Sequence, residues 1–495
     1  MDTKTILDEL VESRREETGR LMRDVWGFSE LYFQENRSAQ ALSQALEKEG
    51  FAIETHLADI PTAFCATFGS EGPVIGFLGE YDALPALSQK AGCWHKEPVT
   101  DEDGAGHGCG HNCLGAGSFA AALALKEYLV KTGTKATVKY FGCPAEENGG
   151  GKVFMARDGV FDGLDAVFTW HPGTANYTMG VSSLAVVSAM YHFTGKATHA
   201  SASPHLGRSA LDAVELMNVG VNYLREHIIP QARVHYAYID AGGKAPNVVQ
   251  DHATVYYYVR APKVCQDMEI FERVNDVARG AALMTGTQMR YEIVDSLADY
   301  VPNKTLSQLL NDSMQELGAP IFSQEELALA AHFSDTLTEE EKQACRESTA
   351  LLAGVSPDIY QDQLMDDHLP DYLHQPGTVL PGSTDVGDVS YCAPTAQCQC
   401  ATVAFGTGGH SWQMTAQGAS DAALKGTLFA AKAMALAAAK AIEQPELLAQ
   451  AKEEHRKNCP DGYICPLPAD VRPHLEQKNR SDNIQKVIYC RKTTF

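Results

Sequence analysis

The chain has 495 residues, of which 63 are acidic and 40 basic, giving a formal net charge of -23. A single domain usually holds roughly 100–200 residues, so more than one is expected, and a surface this negative argues against nucleic acid and anionic membranes as partners. An apolar share of 44% supplies material for real cores, and 13 cysteines scattered along so long a chain point to the reducing cytoplasm rather than to a secreted disulfide scaffold.

The first residues, MDTKTILDELVESRREETGRLMRDV, are charged and helical in pattern, without the apolar core of a signal segment. Residues 5–47 read as two helices. FAIET at 51–55 and AFCATF at 63–68 read as short strands. PVIGFLGEYDALPAL at 73–87 is an apolar strand that runs into a polar loop, the kind of strand a sheet covered on both faces uses. Residues 88–112 form a long irregular stretch rich in Gly, His, Cys and acids, which opens into an Ala-rich helix at 114–131. TKATVKYFGCPAEENGG at 134–150 repeats the order of strand, acidic loop and Gly, and LDAVFTWHP at 164–172 repeats it with His171 at the strand end. Ligands of open α/β sheets bind beyond the carboxyl ends of the strands.

The texture changes near residue 183, where a strand–helix–strand–strand–helix–strand order begins and runs to about 296. That is the ferredoxin-like order of a small two-layer domain. Residues 304–330 return to helix, and 331–378, polar and acidic, read as an insertion or a mobile lid. QCQCATVAFGTGGHS at 397–411 is again a strand followed by a His-bearing loop. The apolar run 422–441 holds three lysines and many alanines, so it reads as a packed helix rather than a membrane span. The expected organisation is an α/β catalytic domain in two parts, 1–182 and 297–450, an inserted domain at 183–296, and a C-terminal tail, 451–495, wrapped on the surface.

The chemistry concentrates at the strand ends. His107-Gly-Cys109-Gly-His111 sets a thiol and an imidazole two residues apart, both ligand types that Zn²⁺ takes, with glycines that let the backbone bend tightly. Glu146-Glu147 are adjacent carboxylates, which a cation or a proton reconciles when they are buried. His171 and His410 stand at comparable strand ends. Each has an ordinary alternative: a polar turn, a solvated acidic turn, a lone core histidine. Together, Cys109, His111, Glu147, His171 and His410 exceed a closed structural zinc site and suit two ions better. Asp82 is placed to orient a ligand histidine or to cap a turn, and Glu80 to stand behind the site or meet substrate. In the inserted domain, His199 is a candidate to stabilise an oxyanion, Asn247 and Arg260 to hold a substrate carboxylate, and Arg208 to add a basic contact or to be a plain loop residue. No phosphate-binding loop and no nucleophile elbow are present.

GEYDALP, GHGCGHN, CPAEENGG, TWHP, GKATHASASPHLGRSALDA, GGKAPNVVQ and FGTGGHSW together resemble the M20 metallopeptidase and amidohydrolase family, in its aminoacylase-like branch. The likeness spans about residues 1–470. It implies a zinc-aminopeptidase-like di-metal catalytic domain with an inserted ferredoxin-like α+β dimerisation domain. It implies Cys109, His111, Glu147, His171 and His410 as ligands of two divalent ions, Zn²⁺ or Mn²⁺, with Co²⁺ or Ni²⁺ as alternatives. Glu146 matches the general base, and His199 the inserted-domain histidine that meets the substrate carbonyl or carboxylate. The implied reaction is cleavage of an N-acyl or N-aroyl amino acid, p-aminobenzoyl-glutamate first, by a homodimer or a heteromer with a related A subunit. A dipeptidase, or a non-catalytic partner subunit, are the alternatives. Members outside the branch carry His where this chain has Glu80, and many within it have Asp where it has Asn112.

Overall fold

The computed structural model describes residues 2–100, 104–375 and 377–475. The chain divides into two compact units. Among the described residues, the first comprises those within 2–182, 301–380 and 388–464, and the second those within 183–300, 381–387 and 465–475. The second unit thus reaches past residue 296 and gathers in a short segment before Asp388.

The first unit is built on a seven-stranded sheet in the order Ala52–Thr55, Phe64–Phe68, Thr137–Cys143, Val74–Glu80, Ala166–Gly173, Thr395–Ala401, Tyr177–Thr178. Its four middle strands run parallel, so their carboxyl ends share one edge. These strands are almost wholly buried, as parallel strands covered by helices must be. The long helices His111–Thr132 and Asp421–Glu443 pack on each other and against these strands. Both are long and apolar enough by composition to cross a membrane, yet 83% and 89% of their apolar windows are buried in the protein. The first sits close on the sheet because Gly117 has no side chain: a Cβ there would stand 2.7 Å from the Trp170 ring. Trp170 is fully buried, and its indole N–H donates to the Leu114 carbonyl at 3.1 Å. Truncating such an aromatic costs about 3–5 kcal/mol.

Three helices occupy the amino-terminal segment rather than two, Thr3–Ser13, Arg15–Phe28 and Asn36–Lys48. The region 331–378 is not a plain polar insertion. It holds the end of the helix Gln324–Ser334 and all of Glu339–Ala353. Both helices open on a capping box, Ser323 with Glu326 and Thr338 with Glu341. Phe333, Ala350, Ala353 and Tyr360 bury small satellite cores beneath them. The expected tail begins inside a helix, Pro445–Asn458, and its last part, 476–495, lies outside the described residues.

The second unit is a four-stranded antiparallel sheet in the order Gln288–Leu297, Ala185–Thr194, His252–Ala261, Arg233–Asp240. The helices Ala210–Leu224 and Val264–Thr285 pack on each other and on this sheet, which is the ferredoxin-like arrangement. Arg233–Asp240 is an edge strand and exposes Tyr236, Tyr238 and Ile239.

Candidate metal centre

The common edge of the parallel strands gathers the chemistry of the first unit. Val74–Glu80 ends at Glu80, with Asp82 two residues on. Thr137–Cys143 leads into Glu146 and Glu147, and Ala166–Gly173 carries His171 near its end. His111 opens the 22-residue helix His111–Thr132, preceded by Gly110 at φ 80°. A positive φ is cheap only for glycine, so Gly110 lets the chain turn tightly from Cys109 into the helix. His410 itself adopts φ 57°, and its N–H donates to the Gly108 carbonyl at 2.7 Å, which ties its loop to the Cys109 loop.

Within this edge the contacts are specific. Asp82 Oδ1 accepts from His111 Nδ1 at 2.7 Å, and Asp82 Oδ2 accepts from the Glu147 N–H at 2.9 Å. One carboxylate therefore fixes a histidine ring and a neighbouring backbone together. With Nδ1 donating, the Nε2 lone pair of His111 faces the Glu80 carboxylate at 3.3 Å and has no hydrogen-bond partner. His171 Nδ1 donates to the Pro172 carbonyl at 2.8 Å, leaving Nε2 turned to Cys109 Sγ at 3.4 Å. Glu147 pairs with His410 Nε2 at 3.2 Å through one oxygen, while its other oxygen is buried and unpartnered. Burial alone would depress the His111 pKa, but the neighbouring Cys109 and Asp82 charges outweigh it and raise it well above the ordinary value. Burial, and next the Glu147 charge, push the Cys109 thiol up. Only a cation close by reverses that and makes it a thiolate ligand.

The donors fit divalent cations. Cys109, His111 and His171 offer ligand atoms within 4.8 Å of one another, and so do Cys109, Glu147 and His410. The two triples share the thiol of Cys109, so the five side chains would hold two neighbouring ions. Glu80, His111 and Glu146 form a third such group on the same edge, which brings Glu146 against the centre. The unpartnered Nε2 of His111 and Oε1 of Glu147 are buried polar atoms that an ion would satisfy. His107 stays out of this set. Its Nε2 meets the Val25 carbonyl at 3.0 Å, and burial, then the charge on His111, lower its pKa to about 4. Asn112 donates to the carbonyls of Gly418 and Met22 at 2.8 and 3.3 Å, a job that an Asp there could not do.

Two supporting residues were not identified from the sequence. Lys152 is fully buried, and its ammonium pairs with Glu80 at 2.6 Å. Burial would raise the Glu80 carboxyl, but the Lys152 and His111 charges outweigh it and hold it below the usual range. Glu35 is also fully buried and accepts from the Phe33 and Ala145 N–H groups and from the Thr62 hydroxyl at 3.0, 2.9 and 2.9 Å. Ala145, at φ 60°, is the residue before the carboxylate pair, so Glu35 holds a strained backbone that aims Glu146 and Glu147. Burial, then the nearby Asp82 charge, raise the Glu35 pKa to about 8.

The other candidates lie in the second unit. His199 is exposed, and its Nδ1 accepts from the N–H groups of Ser201 and Ala202 at 3.3 and 3.2 Å, so Nε2 carries the proton. The Ala200 N–H donates to the Asn247 carbonyl at 2.9 Å, which sets Asn247 beside His199. Arg208 pairs with Lys196 on the same side, but its guanidinium folds back to the Gly207 carbonyl at 2.6 Å. Arg260 donates to the Ser383 hydroxyl at 2.8 Å and stands at the far end of the strand His252–Ala261. At about 3.3 Å per residue that is roughly 25 Å from the His199 end, so one copy of this unit does not bring Asn247 and Arg260 to a common carboxylate.

Comparison with known proteins accords with this geometry. The model of peptidase family M20/M25/M40 matches residues 76–355. The chain is 42% identical to the B subunit of the p-aminobenzoyl-glutamate hydrolase of Escherichia coli, over 94% of its own length and 98% of that protein. It is 31% identical to the Xaa-Arg dipeptidase of Mus musculus over 90% of its length and 91% of that protein. Among solved structures, a dinuclear metal-binding peptidase of the M20 family from Bacillus subtilis superposes with a TM-score of 0.55 at 19% identity, covering 86% of this chain and 98% of that one. The chain belongs to peptidase family M20/M25/M40 and is a hydrolase of amide or peptide bonds.

Proposed function

We propose that this chain cleaves the amide bond of a small N-acyl or N-aroyl amino acid, p-aminobenzoyl-glutamate first, with two divalent cations held by Cys109, His111, Glu147, His171 and His410. The observation that carries the reading is the pair of donor triples sharing Cys109, with Glu146 on the same edge. The likeness to the Escherichia coli protein supports the substrate. The mixed thiolate, imidazole and carboxylate set admits Zn²⁺ or Mn²⁺, and Co²⁺ or Ni²⁺ besides.

When bound, the cations supply Lewis acidity and lower the pKa of water. The protein's own residues do the rest. Asp82 holds His111 and the Glu147 backbone in register. Glu146, half-buried on that edge, takes the proton of the attacking water and delivers it to the leaving amine. His199, with its proton fixed on Nε2, is a ready donor to the oxyanion of the substrate carbonyl. Reconstituting the metal-free chain with each cation in turn, against a panel of N-acyl amino acids that includes p-aminobenzoyl-glutamate, tests the reading. Fastest turnover of that substrate supports it, and no cleavage across the panel sinks it.

A dipeptidase is the second reading, favoured by the 31% likeness to the mouse enzyme; Xaa-Arg dipeptides in the same panel decide between them. The protein is further proposed to act in the cytoplasm as a homodimer, or as a heteromer with a related subunit, since the bacterial relative is one subunit of a hydrolase. The exposed edge strand with Tyr236, Tyr238 and Ile239, and the exposed Val219 and Tyr223 on a helix of the same unit, support self-association. Activity that appears only after a related subunit is added would favour the heteromer.

A further inference from the structure

A second group of metal-ligating side chains lies in the irregular stretch before Cys109. Cys93 Sγ stands 3.3 Å from His95 Nε2 and 3.3 Å from Glu97 Oε2, and His95 Nε2 stands 3.0 Å from that same oxygen. Alternate residues of one short segment thus bring a thiol, an imidazole and a carboxylate within 4.8 Å of one another, and because Cys93 Sγ also stands 3.4 Å from His95 Nδ1, a turn of the exposed His95 ring is what aims Nε2 at a shared ion.

The segment is shaped by groups other than the three donors. Gln89 is buried, and its side chain bonds the carbonyls of Cys93 and His95 at 3.3 and 2.8 Å and the N–H of Glu97 at 2.9 Å. The Lys90 N–H donates to the Glu97 carbonyl at 2.9 Å, and the Gly92 N–H to the Ala416 carbonyl at 2.7 Å. The Trp94 ring stacks on His332 with centroids 4.4 Å apart. Lys90 Nζ takes the other Glu97 oxygen at 3.0 Å, leaving Oε2 for the cluster. The backbone that carries the donors is therefore held in place before any ligand arrives, so binding has only side-chain rotamers to order.

The spacing matches a metal. Tetrahedral zinc holds sulfur at about 2.3 Å and nitrogen or oxygen at about 2.0–2.2 Å, so its ligand atoms lie roughly 3.3–3.6 Å apart. The three separations here fall within a few tenths of an ångström of that. The His95 and Glu97 side chains are 69% and 42% exposed, which leaves a fourth position on the solvent side.

We propose that Cys93, His95 and Glu97 form a mononuclear site for a borderline divalent cation, Zn²⁺ first, separate from the strand-end centre and open to one water. A bound ion staples the turn 93–97, which is anchored through Gly92 to the helix Trp412–Gln417 that follows His410. The site is structural or regulatory, because it offers no general base of its own.

The test uses the full chain, stripped of metal and titrated with Zn²⁺ against a chromophoric chelator. H95A and E97A are the variants, since both side chains face solvent and neither packs in a core. The wild type is expected to take up one more equivalent than either variant, whatever number the strand-end centre holds. Zn²⁺ is also expected to slow alkylation of Cys93 at least tenfold in the wild type and not in H95A, while amide hydrolysis at saturating metal stays the same. Equal Zn²⁺ uptake by wild type and H95A overturns the proposal, as does Cys93 alkylation that Zn²⁺ leaves unchanged.

Discussion

Three histidines here carry their ring protons at defined nitrogens, and each assignment follows from one contact. Asp82 accepts from His111 Nδ1–H, the Pro172 carbonyl accepts from His171 Nδ1–H, and two backbone N–H groups donating to His199 Nδ1 leave its proton on Nε2. The first two point lone pairs into the centre, and the third offers a donor. Removing an orienting partner should loosen the metal more than the fold. D82N is expected to lower divalent-cation affinity by about 10–100-fold, read by competition with a chelator; unchanged affinity would separate Asp82 from the centre. Lys152 acts differently. It answers the buried charge of Glu80, so K152M strands a carboxylate in the interior. The expected loss is about 3–5 kcal/mol in urea unfolding, with much of it restored in the double variant E80Q/K152M.

At the scale of elements, the strand ends were legible because their residues are local in sequence. Apolar runs that stop at Glu80, Glu146-Glu147, His171 and the His410 loop mark four parallel strands without any knowledge of their order. Glu35 and Lys152 were not legible. Each is an ordinary charged residue in a polar stretch, and only the fold reveals that its partner lies far away in sequence. The helices of 323–353 did leave a signal. Ser-x-x-Glu at Ser323 and Thr-x-x-Glu at Thr338 are capping boxes, but the exposed acidic faces behind them mask the apolar period. The helix Val264–Thr285 carries its own test. Asp267 is fully buried there, its carboxylate oxygens lack hydrogen-bond partners, and burial raises its pKa from 3.8 to about 8. The folded state therefore keeps a proton that the unfolded state releases, so this residue's contribution is complete at low pH. It is expected to fade as pH rises toward about 8. D267N should flatten that slope in unfolding measured at pH 5 and pH 8, and an unaltered slope would place its origin elsewhere.

For the whole molecule, the sequence showed two kinds of texture, and the structure divides the chain near the same point. It could not show that residues 381–387 return to the second unit, since a short loop carries no sign of its neighbours. Nor could it separate Arg260 from His199, because both lie in one domain and only the strand direction sets them at opposite ends. The net charge of -23 argues against anionic polymers but leaves the small-molecule substrate open. The family narrows that to amide and peptide bonds, and the proposed function assigns Glu146, on the strand-end edge, as the base. The central claim is that this carboxylate drives hydrolysis at a cation-loaded centre. The most direct measurement is the turnover and metal content of wild type and E146Q, each stripped and then reconstituted, on p-aminobenzoyl-glutamate and its N-acyl relatives. Stripped wild type should be silent and regain activity with metal, while E146Q should bind the same metal and turn over about 10²–10⁴-fold more slowly. Full turnover by E146Q, or by the stripped wild type, would contradict the account.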